Sequence, residues 1–227
     1  MLIFEIKSLE KILHFDSASI ENMEQRFRAN FINSVTGYKS SNLIGTIAQD
    51  GTTNLAVFSS VIHLGSHPPL LGFVTRPTVV PRHTYINCKT TGTFTVNHIH
   101  RNIIKQAHHT AARYDAKTSE FEKSKLTEEY LGSCKAPFVK ESCIKIACRY
   151  INEYHITEND TALIVGAITD IYLPKDIHGT DGWIDLSKVQ GTTINGLDSY
   201  AQPQVLDRLA YAKPDEAVTS ILKNKGQ

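Results

Sequence analysis

Two short segments of this 227-residue chain concentrate the residue types that chemistry needs. The first is Asn54-Leu55-Ala56-Val57-Phe58-Ser59-Ser60-Val61. An apolar strand ending in consecutive small hydroxyl residues offers a flat wall with hydroxyl and backbone N–H donors at its margin. That combination suits the edge of a planar polar heterocycle. The same residues also make a plain second strand of a hairpin with a serine-rich exit. The second segment is Arg76-Pro77-Thr78-Val79-Val80-Pro81-Arg82-His83-Thr84, which joins the end of a strand to a helix beginning near His83. A helix N-terminus carries unpaired N–H groups and a positive partial charge, so it favours a phosphate. Two arginines and two threonines in the turn add charge-assisted and hydroxyl hydrogen bonds, and two prolines restrict the loop. A solvated loop whose arginines face water, with Thr84 capping the helix, is the competing reading.

Other constellations lead nowhere. His98, His100, His108 and His109 lack a nearby carboxylate or thiol at ligand spacing, so no metal is expected. The chain has no G-x-S-x-G elbow, no phosphate-binding P-loop and no G-x-G-x-x-G. Those absences tell against an α/β-hydrolase, a P-loop nucleotidase and a Rossmann dehydrogenase.

The elements that must position the two segments follow from patterning. Ile20, Met23, Phe27 and Phe31 predict an amphipathic helix over 17–31, with Ser17 or Ser19 as its cap. Asp50-Gly51 between the runs Leu43–Ala48 and Asn54–Val61 is a hairpin signal. A strand over Leu70–Val74, a helix over His83–Thr91 closed by Gly92, and a strand over Phe94–Ile99 come next. Ile103–Ala112 reads as helical, and Lys117–Lys135 as a loop with a short helix. Phe138–Tyr154 and Ala162–Leu173 are long strand-like blocks, Gly179–Tyr200 is irregular, and Pro214–Leu222 is a terminal helix. Closely spaced β-blocks with inserted helices predict a mainly β fold, an antiparallel barrel.

Composition bounds the partners. Lys plus Arg is 24 and Asp plus Glu is 23, a net charge of +1, which argues against nucleic acid or an anionic membrane as the main partner. The four cysteines, Cys88, Cys134, Cys143 and Cys148, match no zinc spacing and read as reduced thiols of a cytoplasmic protein. Charged residues interrupt the apolar Met1–Phe4 start, so no signal-peptide core forms there. The whole chain, 1–227, is expected to be one domain.

Taken in order, several stretches resemble the flavin reductase-like, FMN-binding split-barrel family. Asp50-Gly51-Thr52-Thr53-Asn54-Leu55-Ala56-Val57-Phe58-Ser59-Ser60 is similar to its D-G-x-x-N-L-A-P-F-S segment. Ser66-His67-Pro68-Pro69-Leu70-Leu71-Gly72-Phe73 resembles S-x-x-P-P-L-x-G-F. Arg82-His83-Thr84-Tyr85-Ile86-Asn87 and Thr91-Gly92-Thr93-Phe94-Thr95-Val96-Asn97 resemble K-D-T-x-x-N-I and T-G-E-F-V-V-N. Ser119-Glu120-Phe121, Pro137–Ser142, Asp181–Asp185 and Gly196–Ala201 match later family segments, so the likeness spans roughly residues 40 to 202.

The resemblance implies a six-stranded antiparallel split β-barrel, a homodimer with FMN at the subunit cleft, and reduction of flavin by NADH or NADPH. A flavin-dependent oxygenase is an implied partner, and a non-enzymatic, flavoredoxin-like electron carrier is the alternative. Carried over by position, Asn54, Phe58, Ser59, Ser60 and Val61 would line the flavin ring. Arg76, Arg82 and Thr84 would hold its phosphate, and Asn97 would approach from the next strand. No catalytic side chain is assigned, because hydride transfer is chemistry of the cofactors themselves. Three positions depart from the family pattern: Val57 replaces a proline, His83 replaces an aspartate, and Tyr38-Lys39-Ser40-Ser41 replaces Pro-Arg-Pro.

Overall fold

The computed structural model describes residues 12–77 and 79–222, so Thr78 and the Met1–Phe4 stretch lie outside the described residues. In chain order the elements begin with α1 (Ser17–Glu21), α2 (Gln25–Val35), β1 (Lys39–Ser40), β2 (Asn42–Ile47), β3 (Thr53–Phe58), β4 (Ile62–Ser66), β5 (Pro69–Thr75) and α3 (His83–Thr91). They continue with β6 (Thr93–His98), α4 (Ile104–His109), α5 (Glu120–Ser124), β7 (Glu128–Glu129), β8 (Phe138–Val139), β9 (Lys145–Ile156), β10 (Thr161–Tyr172), β11 (Thr193–Asn195) and β12 (Ser199–Ala201).

The hairpin β2–β3 forms where Asp50-Gly51 predicts it. Gly51 takes φ +90°, a conformation that side-chain-bearing residues rarely adopt, and Asp50 Oδ1 accepts from Thr52 N at 3.0 Å. Both faces of this hairpin are covered. Ile44 points into a cluster with Phe73, Phe94, Val96, Cys148 and Ile164. Leu43 and Leu55 point the other way, against Ile103 and Ala107 on the α4 side and Phe121 of α5. Two-sided burial explains why the residues of β2 are buried in succession, with no alternation of inward and outward positions.

The main sheet has seven strands, in the order β3-β2-β6-β9-β10-β5-β4, where the resemblance led to an expectation of six. The strand unforeseen from sequence patterning is β4. Four of its five residues are exposed, so no buried face imposes a period-two pattern on it. β3 and β4 are the two edges of the sheet, yet only Ser59, Ser60 and Val61 separate them in the chain. A link that short reaches at most about 14 Å, so the two edges must come together and the sheet must curl. The interior confirms the curl. Phe58 stands edge-on to Phe73 at 5.1 Å between centroids, and Phe73 edge-on to Phe94 at 5.4 Å. Phe73 and Phe94, fully withdrawn from water, each contribute about 1.5–3 kcal/mol.

Two helix expectations change. The single helix over 17–31 is two helices, broken at Asn22–Glu24. Asp16, rather than Ser17 or Ser19, caps the first, accepting from Ser19 N at 2.8 Å. Asn22 Nδ2 ties back to the Ala18 carbonyl, and the Glu24 carboxylate caps a fresh start at Phe27 N. Local side-chain bonds of this kind compete with helix continuation. The terminal helix over 214–222 does not form. Asp215 has φ +60°, and the chain folds back so that Ala210 N donates to Thr219 O and Ile221 N to Arg208 O. So short a helix with no face to pack cannot offset its nucleation cost.

Candidate functional site

The β3–β4 seam carries the residues expected at the ring. Phe58 is half-buried against the barrel core. Ser60 is committed to the frame: its hydroxyl donates to Val74 O at 3.0 Å and accepts from Val74 N at 3.2 Å, pinning the seam to β5. The carbonyl of Val61 accepts from Ser40 Oγ at 2.8 Å, so the stretch that departs from Pro-Arg-Pro closes on the seam. Ser59 is half-buried, and among the described residues its hydroxyl has no protein partner.

Asn54 and Thr84 sit together rather than facing outward. Asn54 Nδ2 donates to Thr84 Oγ1 at 3.1 Å and to Thr46 Oγ1 at 3.3 Å, and Asn87 Nδ2 donates to the same Thr46 oxygen at 3.1 Å. All four residues are buried, and the network locks α3 onto the β2–β3 hairpin. Thr84 is thus turned inward through its side chain, leaving its backbone N–H at the helix start. Asn97 is fully enclosed. Its amide donates to Leu43 O and Thr95 Oγ1 and accepts from Val139 N, so its polar atoms serve the frame.

The start of α3 is electropositive. Arg82 occupies the cap position with no side-chain cap bond, and the first turn holds no acidic residue. Because Ile86 N is the first to bond back, to Arg82 O, the N–H groups of the opening turn lack helical partners. Arg82 Nε donates to Pro77 O at 3.1 Å, folding the side chain across the loop. Burial, and then the charges of Arg76 and Arg113, hold the Arg82 guanidinium below its ordinary pKa. None of these three arginines forms an ion pair among the described residues. Three cations gathered without a carboxylate partner repel one another, and an anion placed among them relieves that repulsion. Arg113 carried no local signal in the sequence, because it lies beyond the end of α4 and its charge acts on Arg82 only through the fold.

A cleft of ≈ 200 Å³ opens beside this helix start, between the Asp50 turn, His83 and Asn87 of α3, and the Ala116–Thr118 stretch. It is smaller than the roughly 300 Å³ at which pockets for whole small molecules begin, so it suits one end of a ligand. His83, which replaces an aspartate, lies close enough to contribute to holding Asp115 below the usual carboxylate range; the Thr118 hydroxyl is the larger cause.

The Ser119-Glu120-Phe121 stretch seals the free edge of β3. The Glu120 carboxylate accepts from Leu55 N at 2.9 Å, and Thr53 Oγ1 meets Ser119 Oγ at 2.7 Å. Among the described residues no cluster of His, Cys, Asp or Glu is placed to hold a metal. His100 Nε2 lies against Glu141 O and its Nδ1 accepts from Asn102 N, so that histidine is a structural joint. All four cysteines are free thiols, and no described helix is long and apolar enough to cross a membrane.

The profile of the Flavin reductase like domain matches residues 38–190, a span that includes the seam, the basic loop and α3. The chain belongs to the flavin reductase-like domain family. A split-barrel-domain protein of Shewanella frigidimarina NCIMB 400, whose designation as a flavin reductase is itself provisional, is 48% identical with a TM-score of 0.85. That match covers 88% of this chain and 100% of the other. Nitrilotriacetate monooxygenase component B of Bacillus cereus superposes with a TM-score of 0.77 at 18% identity, over 88% and 99% of the two chains. Flavoredoxin of Desulfovibrio vulgaris (Miyazaki F) gives 0.65 at 21% identity, over 79% and 92%. At those lower identities the likeness speaks for the fold alone.

Proposed function

We propose that this chain is an NAD(P)H-dependent flavin oxidoreductase that holds FMN in a cleft between two copies. The observation that carries the reading is the uncompensated trio Arg76, Arg82 and Arg113 at the uncapped start of α3. A phosphate dianion there offsets two of the three positive charges and accepts from the free N–H groups of the first turn. The Asn54–Thr84 hydrogen bond fixes that phosphate end at a set distance from the seam. At the seam, Phe58, Ser59 and Val61 supply the wall of the ring, and Ser59 the free hydroxyl.

When bound, FMN supplies the hydride-accepting chemistry, and the protein binds, orients and shields it. Donors at the ring edge, the Ser59 hydroxyl and seam N–H groups, favour the negative charge of reduced flavin. Ser60 and Asn97 hold the frame in this scheme, and His83 sits in the small cleft next to the phosphate. Because that cleft accommodates one end of FMN only, the remaining surface of the ligand needs a second wall, which a second copy provides. Reduced flavin then passes to an acceptor, for which a flavin-dependent oxygenase is the proposed partner.

Purified protein supplied with FMN and either NADH or NADPH should consume the reduced nicotinamide, followed by its absorbance. Absence of turnover with both nucleotides sinks the reductase reading. A yellow protein that retains FMN tightly yet oxidises neither nucleotide supports an electron carrier instead.

A further inference from the structure

Two tyrosines, a lysine and a glutamate meet where α3 passes β9, and Glu153 of β9 is their centre. Its Oε1 accepts from the Tyr85 hydroxyl at 3.0 Å and from Lys89 Nζ at 2.8 Å, and its Oε2 accepts from the Tyr150 hydroxyl at 3.1 Å. Lys89 Nζ also donates to the Tyr85 hydroxyl at 3.1 Å and lies 5.1 Å from the centre of its ring. Both tyrosine rings pack against the barrel core, which aims their hydroxyls. Burial by itself would raise the Glu153 carboxyl, but the bonds from Lys89, Tyr85 and Tyr150 outweigh it and hold the group below the usual carboxylate range. An exposed Lys–Glu pair alone contributes little. Three donors converging on one carboxylate, two of them from half-buried rings, make a directed joint.

Tyr85 is the third residue of α3 and belongs to the opening turn, whose N–H groups lack helical partners. The joint therefore grips the turn proposed for the phosphate. Thr84 and Asn87, three residues apart, are tied inward to β3 and β2. Bonds along one face leave a helix free to roll about the line that they define. Tyr85 and Lys89, four residues apart, form a second line on a neighbouring face. They run to β9, two strands beyond β2 in the sheet.

We propose that Glu153 is a positioning residue for the phosphate. Through Tyr85 and Lys89 it sets the roll of α3, and so the direction of the opening N–H groups and of Arg82, without touching the ligand. The inference rests on the reading of the α3 start as the phosphate site and adds a residue that lies outside it.

The test measures Kd for FMN and for riboflavin, which lacks the phosphate, by calorimetric titration of the full chain. In Glu153→Ala the preference for FMN over riboflavin should fall about tenfold, as for the outer partners that orient a metal's ligands. Riboflavin binding itself should barely change. Glu153→Gln keeps an acceptor for Tyr85 and Lys89 and should retain the preference within about twofold. Tyr85→Phe removes a single hydroxyl, so it reads the same effect even where the alanine variant folds poorly. An unchanged preference in Glu153→Ala and Tyr85→Phe overturns the positioning role, as does parallel loss of both ligands, which is what a merely structural joint produces. A Glu153→Gln variant as impaired as Glu153→Ala overturns it too. Arg82→Ala, measured alongside, separates the two readings: if it alone lowers the preference, the phosphate site stands without Glu153. A wild type that binds FMN no better than riboflavin overturns both.

Discussion

Asn54 on β3 and Thr84 on α3, thirty residues apart in the chain, are joined by a buried hydrogen bond of 3.1 Å. Through this bond the segment proposed for the flavin ring and the helix start proposed for its phosphate move as one body. Thr84→Val keeps the shape but leaves one N–H of the buried Asn54 amide without its acceptor, and should destabilise the fold by about 1–3 kcal/mol in urea unfolding. Combined with Asn54→Leu, the loss should be smaller than the sum of the two single losses, since no polar atom is then left unpaired. Strict additivity would show that the pair is not coupled.

Arg82 and Arg113 should separate binding from stability. Arg82→Ala should weaken FMN by the equivalent of about 1.5–3 kcal/mol, the worth of a charge-assisted bond, and leave riboflavin nearly untouched. Arg113→Ala should weaken FMN in the same sense without lowering the melting temperature of the ligand-free protein, because it removes a repulsion. Calorimetric titration with both ligands checks this. Equal losses for FMN and riboflavin would move the phosphate elsewhere.

His98 sets a pH dependence. Burial pushes its pKa down from 6.5 to about 4, so the folded protein keeps the ring neutral. Between pH 4 and 6.5 the unfolded chain takes up the proton and the folded one does not. Stability from this group is therefore full above pH 6.5 and falls as pH drops towards 4, where it levels off. His98→Phe should flatten that part of the profile in denaturant titrations, and an unchanged slope would contradict it.

Gly166 on β10 faces Phe94 across the barrel. A Cβ there would lie 2.5 Å from the Phe94 Cζ, and Phe94 is itself braced by Phe73. Gly166→Ala should cost about 1–3 kcal/mol by overpacking, and Phe94→Leu should recover part of it. Thermal unfolding of the single and double variants measures both.

What the sequence made legible was local. Asp50-Gly51, the Gly92 stop of α3 and the block of β10 each announce themselves within a few residues, because turn chemistry and pleat are local constraints, whereas the single block expected over Phe138–Tyr154 divides at 140–144 into β8 and β9. β4 stayed hidden because most of it is exposed. The break between α1 and α2 stayed hidden because Asn22 and Glu24 act through hydrogen bonds that the apolar spacing does not record. At the candidate site, Arg76 and Arg82 are contiguous with the helix they precede, whereas Arg113 joins them only through the tertiary fold. Asn97 illustrates the converse: its position in a family segment suggested a ligand contact, and its amide is spent on strand and loop backbone.

The three residues that span the seam also decide where this chain can be cut. A permuted protein whose new ends fall at Ser59–Val61 would free β4, whose outer side is unpaired, to part from the barrel, while β3 stays covered by Ser119–Phe121. One opened at Asp50-Gly51 would lose only an exposed turn. The first should self-associate and the second stay folded. Backbone continuity at the seam is thus a safeguard against aggregation as well as a part of the wall proposed for the ring.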